Sequence, residues 1–178
     1  MSTVLQHVPA TERVRKVEAD QGEAFDIAGA HLTWEVKGED SGHGFAVCER
    51  TLDPGESVPL HSHASAETFY VLSGTVEFFR VIDGAEDWIR CETGDVVILP
   101  PNSLHGFSNN TAEPCRLLGI STPLHQAFFD AVAAVEKATS FASLPVQEAM
   151  QRVARIGAQY QVYFAPQDIS SSVVGRRA

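Results

Sequence analysis

Three histidines and a glutamate, His61, His63, Glu67 and His105, stand where they could share one cation. His61 and His63 are two apart in a β-forming run, so both imidazoles project from one face of a strand. Glu67 follows His63 by four residues, past a short turn, and a hairpin returns its carboxylate beside the pair. His105 opens another run after Pro100, Pro101 and Asn102. Two or three imidazoles plus a carboxylate suit Fe, Mn, Co, Ni, Zn or Cu, leaving one or two positions open for water or substrate. An isolated HxH pair is commonly a surface feature. The four together are different, because an inward glutamate in an apolar interior is costly without a cation or strong hydrogen bonds.

Positioning that set requires strands, and the chain supplies them. The runs 31–36, 44–52, 57–63, 68–72, 75–82, 88–91, 96–99, 105–109 and 115–121 are rich in Val, Ile, Phe and Tyr. Ser73-Gly74 and Asp83-Gly84 fall between apolar runs, where tight hairpins need positive φ. Asp53-Pro54-Gly55 and Glu92-Thr93-Gly94-Asp95 supply further turns. Short strands at even spacing, without alternating helices, predict an antiparallel sandwich or barrel.

The period changes at Thr122, which reads as an N-cap with Pro123 in the first helical position. Leu124, Phe128, Ala131, Val132 and Val135 form one apolar stripe. Val146, Ala149, Met150, Val153 and Ile156 form another, with Gly157 placed to end that helix. Residues 160–164 read as a short strand or a packed tail. The helices are expected to cover an open end or outer face of the barrel, their stripes serving packing.

With 178 residues the chain holds one well-buried core, and its net charge of −10 argues against binding nucleic acid through phosphates. Cys48, Cys91 and Cys115 form no CxxC pair and are expected as buried free thiols in a reducing compartment. Residues 1–10 lack the apolar run of a signal peptide, and no segment has the length of a membrane span. A cytoplasmic protein with no membrane partner is therefore expected. Residues 1–23 are expected as an N-terminal arm, 24–122 as the barrel, and 123–178 as a helical extension and tail packed on it.

The stretch GESVPLHSHASAETFYVLSG resembles the first cupin motif, with Gly55, His61, His63, Glu67 and Gly74 all in place. GDVVILPPNSLHGFSN resembles the second, through Gly94, Pro100, His105 and Asn109. Asn102 replaces the usual glycine there, and asparagine is well able to adopt a left-handed turn. The resemblance covers about residues 45–121. It implies an all-β fold, a double-stranded β-helix or jelly-roll barrel, with one divalent transition metal inside and His61, His63, Glu67 and His105 as its ligands. It also implies a dimer, here a homodimer. The single motif pair followed by helices resembles small bacterial quercetinase-like cupins, which cleave flavonols with dioxygen. In that comparison Glu67 serves as proton acceptor as well as ligand.

Strand parity nominates the small-molecule pocket. Phe69 and Val71 share a face with Glu67, and Phe107 and Asn109 share one with His105. Phe69 and Phe107 could stack on a planar substrate or fill the barrel core. His7, His31, His43 and His125 have no partners at ligand spacing and read as surface or packing residues. Three functions fit: a quercetinase-like dioxygenase, a metal-dependent isomerase or decarboxylase, and a cupin that binds a small ligand without turnover.

Overall fold

The computed structural model describes residues 13–19, 21–27 and 30–166. Eleven strands and two α-helices follow in chain order: β1 (Glu23–Ile27), β2 (Ala30–Val36), β3 (Ala46–Leu52), β4 (Ser57–His63), β5 (Glu67–Ser73) and β6 (Thr75–Ile82). Then come β7 (Ala85–Glu92), β8 (Val96–Leu99), β9 (His105–Ser108), β10 (Cys115–Ser121), α1 (Pro123–Ala138), α2 (Val146–Gln159) and β11 (Val162–Phe164). One antiparallel sheet runs β1-β2-β3-β10-β5-β8, the other β11-β4-β9-β6-β7. This is the jelly-roll barrel expected, with a helical extension. The arm expected over 1–23 falls largely outside the described residues, and β1 begins at its last residue.

Every strand read from the sequence is present, with ends shifted by a few residues. The additional strand β1 pairs with β2 as a hairpin. The Asp83-Gly84 turn joins β6 to β7 with φ of 49° and 78°, the paired positive values a two-residue hairpin turn demands. Strict alternation marks β3, whose Ala46, Cys48, Arg50 and Leu52 face inward. β10 likewise buries Cys115, Leu117 and Ser121 while Arg116 faces water.

Two apolar clusters fill the molecule. One, at one end of the barrel, gathers Leu52, Phe69, Val71, Phe78, Phe107 and Leu117. The other joins Leu32 and Trp34 of β2 to Phe128 and Val132 of α1, Val153 of α2 and Val162 of β11. Each fully buried phenylalanine contributes roughly 1.5–3 kcal/mol of transfer free energy. The three cysteines are free and buried, and burial raises their thiol pKa values, that of Cys48 to about 12, so they stay protonated.

Thr122 caps α1 by accepting from the backbone N–H of His125, with Pro123 following it as expected. Two details of the helices differ from the sequence reading. Leu124 and Val146 are exposed, and the buried face of α1 runs through His125, Phe128 and Val132. Gly157 does not end α2, which continues to Gln159. A Cβ at Gly157 would lie 2.8 Å from the carbonyl oxygen of Val162, so the glycine is where the returning strand presses on the helix. That strand, β11, pairs with β4 in register Val162–His63 and Phe164–His61. Among the described residues no helix is long and apolar enough to cross a membrane.

Candidate metal centre

The five-stranded sheet delivers the imidazoles and the six-stranded sheet the carboxylate. His61 and His63 alternate along β4, and the register sets His61 opposite His105 on β9. Their ring centroids are 4.2 Å apart, and those of His63 and His105 are 4.9 Å apart. Glu67 opens β5 across the barrel, with its Oε2 3.4 Å from His63 Nε2. All four residues expected to share a cation are thus brought together and buried.

Their hydrogen bonds leave the lone pairs pointing inward. Nδ1 of His61 donates to the carbonyl of Pro59 at 2.8 Å, that of His63 to Ser65 at 2.7 Å, and that of His105 to Ser103 at 2.9 Å. A carbonyl only accepts, so each contact puts a proton on Nδ1, and in the neutral ring Nε2 is then the bare nitrogen. Nε2 of His63 and of His105 is buried with no hydrogen-bond partner. Such orphaned acceptors are what a metal site looks like from the protein side, and backbone carbonyls behind ligating histidines are its usual support. Donor atoms of His61, His63 and His105 lie within 4.8 Å of one another, as do those of His63, Glu67 and His125. Either group of donors could hold a metal ion, and His63 belongs to both triads.

Burial lowers the pKa of His61 well below its ordinary value, and the neighbouring His105 adds to the effect. Burial likewise lowers His105, against the opposing pull of the Ser103 carbonyl and Glu67. Both rings are therefore neutral donors near pH 7. For Glu67, burial favours the protonated acid, but His125, His63 and Arg50 together outweigh it and hold the carboxyl below the usual range. An ionised carboxylate beside neutral imidazoles is the protonation state that metal binding requires.

Two further residues complete the centre. His125, on the first turn of α1, has its ring centroid 4.3 Å from that of His63 and its Nδ1 3.7 Å from Glu67 Oε1. That Nδ1 is buried without a hydrogen-bond partner, so the reading of His125 as a packing residue is corrected. Helical spacing carried the signal: His125, Phe128 and Val132 share one face, which the stripe drawn through Leu124 overlooked. A tie fixes this helix start to the connection between β4 and β5, since Ser65 Oγ and Thr122 Oγ1 are 2.7 Å apart. The second residue is Arg50, inward on β3, with its guanidinium carbon 5.2 Å from the Phe107 ring centroid and 5.6 Å from that of Phe129. His31 and His43 are on the surface, His31 near Asp53 and Glu56, while His7 lies outside the described residues.

A cavity of about 240 Å³ adjoins the centre, reached by Arg50, His61, Glu67 and His125 and walled by side chains such as Phe128 and Phe164. Phe164 of β11 stacks on His61 at 5.6 Å. The residues nominated for substrate contact, Phe69, Val71 and Phe107, sit instead in the apolar cluster at the barrel's end. Strand parity turned them inward, but the guanidinium of Arg50 lies over Phe69 and Phe107, on the cavity side. Asn109 is also structural, its amide donating to the carbonyls of Leu52 and Glu113.

Residues 48–121 match the family model for the cupin domain. Over 94 residues the chain is 34% identical to acireductone dioxygenase of Saccharomyces cerevisiae, covering 49% of this chain and 48% of that protein. Over 84 residues it is 34% identical to the mannose-1-phosphate guanylyltransferase RfbM of Salmonella typhimurium, covering 47% of this chain and 17% of that enzyme. The chain therefore spans about half the length of the first relative and much less of the second. The structure of a predicted oxalate decarboxylase from Thermotoga maritima shares the fold, with a TM-score of 0.54 at 20% identity over 61% of this chain and 98% of that one.

Proposed function

This chain belongs to the cupin superfamily, and on that premise we propose that it is a metal-dependent dioxygenase acting on a small aromatic or enolisable molecule. The observation that carries the reading is the set of bare imidazole nitrogens converging with one ionised carboxylate at the edge of an apolar cavity. Similarity to an acireductone dioxygenase over half of this chain supports dioxygen chemistry over other uses of the domain. The flavonol-cleaving type is one form that such an enzyme could take.

His61, His63, Glu67 and His105 would hold the ion. When bound, it would supply a Lewis-acidic position for an enolate-like oxygen and a route for dioxygen. The protein's own groups do the rest. Glu67 faces the cavity as a carboxylate and is placed to accept the proton of an enolisable substrate. His125 lies beside the other carboxylate oxygen, its Nδ1 3.7 Å from Oε1. Phe128, Phe129 and Phe164 keep water from the substrate and offer ring faces to a planar group.

Oxygen consumption tests this. Protein loaded in turn with Fe, Ni, Co and Mn is expected to take up O₂ with at least one flavonol or smaller enolisable aromatic compound. Silence with every pairing refutes the dioxygenase reading.

A further inference from the structure

We propose that the substrate of this centre is a small carboxylate, held by Arg50 while its apolar part fills the cavity. This rests on the functional reading above and names the substrate class for the same site.

Arg50 is a buried charge that Glu67 offsets through space without an ion-pair contact. It is only 7% exposed, its Nε is buried without a hydrogen-bond partner, and among the described residues it forms no ion pair. Burying a guanidinium without a bonded anion is costly, so such a group marks a site where an anion arrives. Its position is fixed by aromatic faces: the guanidinium carbon lies 5.8, 5.2 and 5.6 Å from the centroids of Phe69, Phe107 and Phe129. Stacking of this kind fixes the plane of the group and leaves its edge, where the N–H donors are, for a planar carboxylate.

The cavity agrees in charge and in shape. Arg50, Glu67, His61 and His125 reach it, and the remaining wall is apolar, with Leu32, Phe128, Val153 and Phe164 among its members. Arg50 and Glu67 cancel in formal charge, so a divalent ion held at the histidines leaves the cavity doubly positive. A monoanion bound between Arg50 and the metal position lowers that charge. An aromatic or branched 2-oxo acid has all the required parts: a carboxylate for Arg50, an enolisable carbonyl for the metal position and Glu67, and an apolar group for the phenylalanines.

Calorimetric titration of the full chain, metal-loaded and under anaerobic conditions, tests the assignment. Phenylpyruvate is the anionic compound and 1-phenylpropan-2-one its neutral counterpart. Phenylpyruvate is expected to bind at least tenfold tighter than the ketone. Arg50→Gln is expected to remove that advantage while changing ketone affinity less than twofold, and Arg50→Lys to retain part of it. Equal binding of the two compounds by the unaltered protein overturns the proposal without recourse to any variant. So does full retention of acid binding in Arg50→Gln, or failure of phenylpyruvate, benzoate and 3-methyl-2-oxobutanoate all to bind at millimolar concentration. Arg50-dependent binding with no O₂ consumed refutes the dioxygenase reading and leaves this assignment standing. Turnover of neutral substrates that Arg50→Gln leaves intact does the reverse.

Discussion

His63 Nε2 lies 3.4 Å from Glu67 Oε2 while the other nitrogen of the same ring already donates to Ser65. A bare nitrogen lone pair and a carboxylate oxygen at that distance repel unless a proton or a cation sits between them. His63 is also common to both triads of donor atoms. His63→Ala is therefore expected to weaken metal affinity by at least about a hundredfold, beyond the roughly 10–100-fold of outer-shell changes. His125→Ala is expected to cost about tenfold or less, since four donors remain. Elemental analysis after dialysis distinguishes the two, and equal losses would contradict the ranking.

Glu67→Gln keeps the side chain's size and one coordinating oxygen but removes its basicity. Metal content is expected to stay above about half of the unaltered level, while turnover falls by about 10²-fold or more, the range of a lost general base. Parallel losses of metal and rate would reduce Glu67 to a ligand alone.

Acid is expected to destabilise the metal-free protein. Burial holds the pKa values of His61, His105 and His125 below the ordinary 6.5, that of His125 at about 4. Below 6.5 the unfolded chain thus binds more protons than the folded one, and stability falls as pH drops toward the folded-state values. His125 alone accounts for a loss of about 2 kcal/mol between about pH 7.5 and 5. Glu67, with its lowered pKa, extends the decline at still lower pH. Urea midpoints measured across this range check the sign, and a flat profile would contradict it.

Asn102 has φ of 64°, and its N–H donates to the carbonyl of His63 at 2.7 Å. This left-handed residue thus braces the end of β4 from outside. Asn102→Gly is expected to leave the melting temperature nearly unchanged. Asn102→Val, with a branched side chain in that conformation, is expected to cost about 1–2 kcal/mol and to loosen metal retention.

Gly157→Ala places a methyl group against the Val162 carbonyl. The expected cost is about 1–3 kcal/mol by overpacking, and the displacement falls on the strand paired with His61 and His63. Thermal denaturation with and without metal reads both consequences.

Most of the barrel was legible because period-2 alternation and turn residues are local signals. The set His61, His63, Glu67 and His105 was legible from motif spacing, although β4 and β5 lie in different sheets, so a crossing between the sheets and not a hairpin brings Glu67 to the histidines. His125 was not, because it reaches the centre through the docking of α1, a contact far from His61 in sequence. Arg50 was half-visible. It interrupts the inward series Ala46, Cys48 and Leu52, and an arginine at an inward position of a strand is itself a sign of a polar site. Phe69, Val71 and Phe107 face inward as parity indicates, and other residues wall the cavity beside the histidines, because parity says which residues face inward and not which part of the interior is open.

The pairing of β11 with β4 also governs when the centre comes into being. The strand carrying His61 and His63 appears early in synthesis, yet its neighbour on one side is the last strand of the described chain. Until that strand emerges, the edge of β4 is unpaired, Phe164 is absent from above His61, and His125 has no α2 behind its own helix. A chain stalled before residue 162 would lack β11 and expose the edge of β4 that bears His61 and His63.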